Sequence, residues 1–372
     1  MTVMHAKRVA SLFAAAALML APASVAAAAD ITIAFAGPIT GGAASFGDQM
    51  RFGAELAVKA LNDAGGVLGQ PVKLVLGDDA CDPKQGVTAA RDLVAKNVAF
   101  VAGHFCSGAS IAAAPIYAEA GVVMISPAST QPSLTEQGLT NVFRVCGRDD
   151  QQGTVAAAYI LKTYPGKKIA LIHDKRSYAR GLVDSVTKAL KQAGVTPTLV
   201  DSITQGDKDY SALVSKLNNS GIDVVYLPVY QTEAALIVRQ ADEHGYHPVF
   251  MGGDALLAEE FPAIAGKAAD GVLMTFTPDP TRLPAAAPLV EEYRKAGRNP
   301  EGWALYTYAA IQTWAQAART AGTASGPKVE AALRQGTFDT VIGSVAFDAH
   351  GDVKAPQYVI YRWLDGRYAP VE

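Results

Sequence analysis

Short apolar runs alternate with longer segments of helical periodicity along the chain from Asp30 onward. This alternation predicts buried parallel strands connected by helices that cover both faces of the sheet. In the first part of the chain, the pattern predicts strands at 31–36, 72–76, 98–102 and 122–125, and helices at 47–64, 83–96 and 110–120.

A second series of the same kind begins after residue 148. It predicts strands at 168–173, 198–203, 224–228, 248–251 and 271–275, and helices at 152–163, 178–194, 210–220 and 233–245. The remaining pattern predicts helices at 289–295, 303–321 and 329–335, and strands at 345–347 and 357–363. The predicted fold class is therefore α/β, with two doubly wound parallel-sheet lobes.

The last segment is expected to complete the two lobes rather than to start a third domain. We assign residues 30–148 plus about 277–355 to an N-terminal lobe, and residues 149–276 plus about 356–372 to a C-terminal lobe. This division makes the chain cross between the lobes more than once. Several crossings form a hinge, and a hinge between two lobes gives a cleft that can close.

The first residues have the pattern of an export signal. Lys7 and Arg8 precede an apolar stretch at 9–20, and Ala27-Ala-Ala29 follows it. This pattern predicts a signal peptide, because it combines a basic start, an apolar core too short to span a bilayer and small residues at the expected cleavage site. We expect residues 1–29 to be removed by cleavage near Ala29, which leaves a soluble periplasmic protein; an uncleaved membrane anchor is the alternative.

Composition narrows the class of ligand. Half of the residues are apolar and the formal net charge is −3, which argues against a nucleic-acid partner. The glycine-rich turn at 37–47 follows the first strand, but it matches neither the dinucleotide-binding nor the Walker pattern. We therefore expect no nucleotide and no other cofactor.

Possible metal ligands lack a convincing pattern. Asp78, Asp79 and Asp82 do not have the spacing of an EF-hand calcium loop, so loop solvation is the simpler explanation. His244 and His247 flank a helix end without an evident third ligand. No metal site is predicted.

Hydroxyl groups follow two neighbouring strands of the first lobe. Ser107 comes after the strand at 98–102, and Ser129 and Thr130 come after the strand at 122–125. Ligands of parallel sheets bind at the carboxyl ends of the strands. Hydroxyls and free backbone amides can replace the water shell of an anionic oxygen, so these loops predict a carboxylate-binding site.

Aromatic and acidic residues follow strands of the second lobe. Tyr178 and Tyr230 come after the strands that end near residues 173 and 228, and Asp254 follows the strand at 248–251. Each tyrosine could equally be ordinary core. A carboxylate opposite a carboxylate-binding wall can pair with an ammonium group, so the whole arrangement describes an amino-acid pocket.

The cysteines suggest one disulfide bond. Cys81 and Cys106 lie in loops after successive predicted strands, and in an exported protein such a pair is more often a disulfide than a metal or redox site. Cys146 remains and is expected to be a buried free thiol.

The sequence offers little support for a hydrolase. The G-x-S-x-G motif is absent, and the three-residue separation of His104 from Ser107 does not by itself make a catalytic pair. No catalytic residue is predicted.

Seven motifs resemble the periplasmic leucine/isoleucine/valine-binding proteins of bacterial ABC importers. The likeness extends in order from Asp30 to about Trp363. The motifs are Gly77-Asp-Asp-Ala-Cys-Asp-Pro-Lys-Gln85, Gly103-His-Phe-Cys-Ser107, Met124-Ile-Ser-Pro-Ala128, Ile172-His-Asp-Lys175, Gly206-Asp-Lys-Asp-Tyr-Ser-Ala-Leu213, Thr307-Tyr-Ala-Ala310 and Phe347-Asp-Ala-His-Gly-Asp352. The resemblance implies a type I periplasmic binding fold, two lobes joined by three crossovers, that closes around its ligand without catalysis.

The resemblance also implies roles for single residues. Ser107 and Thr130 match the residues that hold the ligand carboxylate, and Ser129 stands where the family usually has alanine. The Ala128 carbonyl and Asp254, which aligns with a glutamate, match the ammonium partners. The aromatic contacts correspond to Phe46, Tyr178, Tyr230 and Trp303, and the family disulfide to Cys81 and Cys106.

Two departures from the family pattern bear on the ligand. Asp254 is one methylene shorter than glutamate, about 1.5 Å, and Arg180 could favour an acidic or carboxamide ligand if it turned inward. We expect Arg180 to face solvent. The function implied is capture of an aliphatic, branched-chain L-amino acid by a monomeric receptor that serves an ABC permease. Another small ligand in the same transport role, a secreted hydrolase and a sensor module are the alternatives.

Overall fold

Residues 1–2, 29–300 and 302–371 are described by the computed structural model, so nearly all of the predicted leader lies outside the described residues. Among the residues described, none of the helices combines the length and apolar character that a membrane span requires. The chain from residue 29 onward forms two α/β lobes, which confirms the predicted fold class.

The first lobe is built on a sheet that has five parallel strands within the described residues, in the spatial order β2-β1-β3-β4-β5. The elements are β1 (Ile31–Gly37), α1 (Ala44–Asp63), β2 (Val72–Asp78), α2 (Pro83–Ala95), β3 (Phe100–Gly103), α3 (Ser107–Glu119), β4 (Val123–Ser126) and β5 (Val142–Arg144). Strands β3 and β4 are buried at every residue, as expected where helices cover both faces. The strand order reverses at β1, so the loops after β1 and β3 diverge and leave a crevice.

The second lobe follows the same plan. It contains α4 (Asp149–Thr163), β6 (Ile169–His173), α5 (Ser177–Gln192), β7 (Leu199–Ser202), α6 (Ser211–Asn219), β8 (Val224–Tyr226), α7 (Gln231–Glu243), β9 (Val249–Gly252), α8 (Glu260–Ala265) and β10 (Leu273–Phe276). Strands β6 to β10 are parallel to one another, and the apolar face of α5 packs on the sheet through residues such as Leu182 and Val186.

The last part of the chain returns to both lobes. It forms α9 (Ala287–Lys295), α10 (Gly302–Ala321), α11 (Pro327–Gln335), β11 (Thr337–Thr340), β12 (Gly343–Ala346), β13 (Val359–Leu364) and β14 (Arg367–Pro370). Helix α10 packs on α1 of the first lobe, where Trp314 stacks on Phe100 with 5.1 Å between the ring centroids. Strand β13 pairs antiparallel with β10 of the second sheet. This topology agrees with a chain that crosses between the lobes several times. The exact boundaries given above for the two lobes remain predictions.

The predicted elements all have counterparts in the structure, with shifted ends. The shift that matters most is in α3, which begins at Ser107 rather than near residue 110 and so brings Ser107 to a helix N-terminus. The pattern missed β5, β11, β14 and α8, which are three to six residues long. Segments this short hold too few apolar positions to establish a period.

Candidate functional site

A small cavity lies between the lobes at the carboxyl ends of their strands. Six of the nine predicted binding residues line it: Ser107, Ala128, Tyr178, Tyr230, Asp254 and Trp303. Phe105 and Ala255 also line it and were not predicted. Phe105 lies in the loop after β3 and Ala255 in a short 3-10 helix after β9, and neither has a polar group that would single it out in the sequence.

The first-lobe wall presents hydrogen-bond donors. Ser107 is the first residue of α3, and the first amides of a helix have no partner within the helix and favour an anion. The Ser107 hydroxyl accepts a 3.4 Å bond from the amide of Gln131. Thr130 is buried and is not among the residues that line the cavity. Its hydroxyl lies beside the Asp149 carboxyl group but makes no hydrogen bond of good geometry among residues 29–300 and 302–371.

Ser129 serves the loop structure instead. Its hydroxyl lies 2.6 Å from the Ser110 hydroxyl and donates to the carbonyl of Phe105 at 2.9 Å. Its amide donates to the Ser126 hydroxyl, and its carbonyl accepts from Arg144. The polar groups of Ser129 are therefore already used within the first lobe, which gives no support to a direct ligand contact.

The histidine beside Ser107 in sequence does not form a catalytic pair with it. His104 is fully buried, with Nδ1 at 2.6 Å from an Asp79 carboxylate oxygen and Nε2 at 3.0 Å from the Tyr117 hydroxyl. Both ring nitrogens are thus occupied away from Ser107. Burial, and to a lesser extent the charge of Asp79, raise the pKa of Tyr117. This cluster holds the loop that leads into α3.

Asp254 is the acidic group of the second-lobe wall. One carboxylate oxygen accepts a 2.7 Å hydrogen bond from the Tyr178 hydroxyl, and the other accepts a 2.8 Å bond from Nε2 of Gln152. Burial raises the pKa of Asp254 to about 6, while these two hydrogen bonds oppose that rise. Both partners are neutral, so an ionised Asp254 keeps a full negative charge facing the cavity region.

A second buried carboxyl group, which sequence reasoning missed, lies nearby. Asp149 is the first residue of α4, and its amide donates to the Thr130 carbonyl at 2.9 Å. Burial and the charge of Asp254 raise the pKa of Asp149 well above its ordinary value, and the Thr130 hydroxyl beside it lowers that pKa by less. The raised pKa of Asp149 favours its protonated form, which adds no second charge to this side of the site.

Aromatic rings surround the rest of the cavity. Phe105 lies 6.0 Å from Tyr230 and 6.3 Å from Trp303 between ring centroids. Phe46 stacks on Phe105 at 4.6 Å and is not among the residues that line the cavity. The structure thus places Phe105 at the wall, with Phe46 in contact with Phe105, because the loop after β3 reaches between Phe46 and the cavity.

The two arginines near Tyr178 differ in position. Arg180 is exposed, as expected from the sequence. Arg176, which was not singled out, is largely buried and lies with its guanidinium carbon 4.1 Å from the centroid of the Tyr230 ring. Its charge is paired with Asp174, so it supports the ring rather than offering a free cation.

The disulfide predicted between Cys81 and Cys106 is confirmed, with 5.3 Å between the Cα atoms. It joins the loop after β2 to the residue before Ser107. Cys146 is buried and free, and burial raises the pKa of its thiol.

The acidic cluster has structural roles. Asp78 accepts from the amides of Ile39 and Thr40 and fixes the glycine-rich turn, while Asp82 caps α2. Within the part of the chain that the structure describes, no three His, Cys, Asp or Glu side chains are grouped so that they could hold a metal ion.

The lobes also touch directly at the rim of the cleft. The Ser45 hydroxyl of the first lobe donates to a Glu260 carboxylate oxygen of the second lobe at 2.6 Å. Gln231, beside Tyr230, donates both to Glu260 and to the carbonyl of Gly42. The structure is therefore a closed form, with the cavity enclosed.

Two α/β lobes around an enclosed polar and aromatic cavity define a solute-binding protein, and the chain belongs to the family described as periplasmic binding protein, which it matches over residues 30–367. The Leu/Ile/Val-binding protein homolog 1 of Brucella suis biovar 1 is 46% identical over 344 residues, covering 91% of this chain and 93% of the relative. The crystal structure of a leucine binding protein, LivK, from Thermotoga maritima has a TM-score of 0.84 and 30% identity, covering 92% and 98%. The branched-chain amino acid transporter substrate binding protein LivJ of Streptococcus pneumoniae, solved in complex with isoleucine, has a TM-score of 0.84 and 27% identity, covering 92% and 99%.

Proposed function

We propose that this protein is a periplasmic receptor that captures an aliphatic, branched-chain L-α-amino acid between its lobes and delivers it to an ABC-type permease. It performs no catalysis and acts as a monomer. The observation that carries the proposal is a cavity lined by buried residues, with the Ser107 hydroxyl and a helix N-terminus on one wall and Asp254 on the other. The names of the relatives support the same ligand class.

The carboxylate of the amino acid binds to the first lobe. Ser107, the free amides at the start of α3 and the Thr130 hydroxyl supply its hydrogen bonds. Such donors are fixed before the ligand arrives, so little reorganisation is needed on binding. The site needs no arginine or lysine because several oriented dipoles stabilise the negative charge.

The ammonium group binds between the Ala128 carbonyl and Asp254. Ala128 and Asp254 line the same cavity from different lobes, so one ligand group can bridge them. The side chain then lies among Phe105, Tyr230 and Trp303, which favours an aliphatic group. Contacts to both lobes give the closed form its differential affinity for the ligand.

The substitution Asp254→Ala tests the assignment in a calorimetric titration with leucine. Loss of most of the affinity is the expected result, because the ammonium group would lose its ionic partner. Unchanged leucine affinity would remove the role given to Asp254 and favour a ligand without an ammonium group, such as an amide or an aromatic acid. Ser107→Ala, assayed for ester and amide turnover, addresses the hydrolase: any turnover by the original protein that this variant abolishes would contradict the receptor.

A further inference from the structure

Both ends of the Gln152 side-chain amide form hydrogen bonds, and the partners are residues more than 100 positions away in the sequence. It is the fourth residue of α4 and is fully buried. Nε2 donates to Asp254 at 2.8 Å, and Oε1 accepts from the Thr275 hydroxyl of β10 at 2.8 Å. Oε1 also accepts from the backbone amide of Asp254 at 3.4 Å. One side chain therefore binds both the carboxylate and the backbone of Asp254.

The orientation of this amide follows from its neighbours. A carboxylate only accepts, so it requires the NH2 end of Gln152, and the carbonyl end then faces the hydroxyl donor of Thr275. A reversed amide would place two acceptors against each other. The carboxylate and the backbone amide of Asp254 thus fix which end of Gln152 faces each of them, and the Thr275 hydroxyl supplies a donor to the carbonyl end.

Gly253 leaves the room for this arrangement. A Cβ atom at Gly253 would lie 2.9 Å from Oε1 of Gln152 and 2.3 Å from the Tyr178 hydroxyl. Any side chain there would force both partners of Asp254 away. The backbone before Asp254 and the side chains around it are therefore matched to each other.

We propose that Gln152 is a positioning residue, which holds the Asp254 carboxylate ionised and oriented toward the ammonium group of the ligand. This inference rests on the proposed function and extends it to a residue that does not line the cavity. A neutral amide is suited to the task because an arginine or lysine at this place would pair with Asp254 and compete with the ligand. The other titratable groups that act on Asp254 or are affected by its charge are Asp149, Cys146, Tyr178, Tyr226, Tyr230, Tyr306 and Tyr358.

The substitution Gln152→Met removes all three hydrogen bonds of the amide and keeps a side chain of similar length. Leucine affinity is measured between pH 5 and pH 8, and ionisation of Asp254 in the ligand-free protein is followed by carbon NMR of its carboxyl group. A hydrogen bond to a charged group is worth about 1.5–3 kcal/mol, so we expect the midpoint of Asp254 ionisation to rise by roughly 1–2 pH units. The loss of leucine affinity on acidification should begin at a correspondingly higher pH.

Gln240→Met is the matched control. Gln240 is a buried glutamine of the same lobe whose amide accepts from the Tyr210 amide at 2.6 Å and donates to the Lys208 carbonyl at 2.8 Å. It does not line the cavity. The midpoint of Asp254 ionisation and the pH at which leucine affinity falls should therefore both stay at the values of the unaltered protein. If Gln152→Met does not fold, Thr275→Val frees the Gln152 amide and should raise the midpoint in the same direction by a smaller amount.

The outcomes separate the two hypotheses. An unchanged Asp254 midpoint in the folded Gln152 or Thr275 variant overturns the positioning role even where leucine binds. Weaker leucine binding by the same factor at every pH also overturns it, since that describes a structural role alone. A raised midpoint in a protein that binds no amino acid supports the positioning of Asp254 while contradicting the proposed function.

Discussion

Asp254 is the residue on which the chemistry of the proposed site depends most. Its carboxylate is buried and held by two neutral donors, and this burial raises its pKa to about 6. Only the ionised form can pair with an ammonium group. Its protonation state therefore decides the affinity within a pH range that is easy to reach.

Leucine affinity is expected to fall as the pH decreases through about 6, approaching a tenfold loss for each further pH unit. The sign follows because the bound ammonium favours the ionised carboxylate, so binding below the midpoint has to release a proton. Titration calorimetry across pH 5–8 measures this dependence. Asp254→Asn should bind leucine weakly and lack the Asp254 step; a profile identical to that of the unaltered protein would mean that another group causes it.

Sequence reasoning found residues that directly follow strands and missed those that act from elsewhere. Ser107, Tyr230 and Asp254 carry a polar group at a predicted strand end, so their meeting at one edge could be expected. Gln152 lies in a helix, 102 residues before Asp254, and its pattern is that of any polar helix residue. Its partner depends on how the loop after β9 lies against α4, which local periodicity does not encode.

At the scale of elements, a buried ion pair connects the loop after β4, which contains Thr130, to the segment between β12 and β13. Arg144 at the end of β5 is fully buried and pairs with Asp352 at 2.6 Å. It also donates to the carbonyls of Ser129 and Gln131, on either side of Thr130. The loop after β4 is thereby fixed on both sides of Thr130, a proposed binding residue. Strand β5 has only three residues, so the sequence pattern did not reveal this element or its arginine.

Asp352→Asn is expected to lower the free energy of unfolding by about 3–5 kcal/mol, since it leaves the buried Arg144 without its counter-charge. Burial alone would raise the pKa of Asp352, but Arg144 and Arg148 together lower it below its ordinary value. The stabilisation is thus present above the ordinary pKa of aspartate and is lost as the pH falls through the lowered value. Denaturant unfolding at pH 7 measures the difference. The control Asp63→Asn, in an exposed pair with Lys59, should cost no more than about 1 kcal/mol. Equal losses in both variants would contradict the role of the buried pair.

At the scale of the whole molecule, closure brings residues of both lobes around one cavity and also creates contacts that touch no ligand. The hydrogen bond from Ser45 to Glu260 is such a contact. A contact made only in the closed form raises the fraction of protein molecules that are closed. The apparent affinity for the ligand depends on that fraction. The two-lobe plan could be predicted from the alternating pattern, but the closing contacts could not, since they join residues 215 positions apart.

Ser45→Ala is expected to weaken binding by roughly 2–10-fold, by the same factor for every ligand that binds, because a hydrogen bond worth about 0.5–1.5 kcal/mol is lost from the closed form alone. Small-angle scattering with and without saturating leucine should show compaction in both the variant and the unaltered protein. Ser211→Ala, which removes a serine–aspartate bond within the second lobe, is the control and should leave affinity unchanged. A ligand-dependent factor for Ser45→Ala would contradict a pure closing contact.

The most direct test of the amino-acid assignment is calorimetric titration of the mature protein after unfolding and refolding to remove any carried-over ligand. The panel is leucine, isoleucine and valine, with 4-methyl-2-oxopentanoate as the leucine analogue that lacks the ammonium group, together with a short amide and 4-hydroxybenzoate. We predict tight binding of the branched-chain amino acids and little or no binding of the oxo acid, since Asp254 would have no partner. Silence from every amino acid, with heat released by the amide or the aromatic acid, would contradict the ligand and the role given to Asp254.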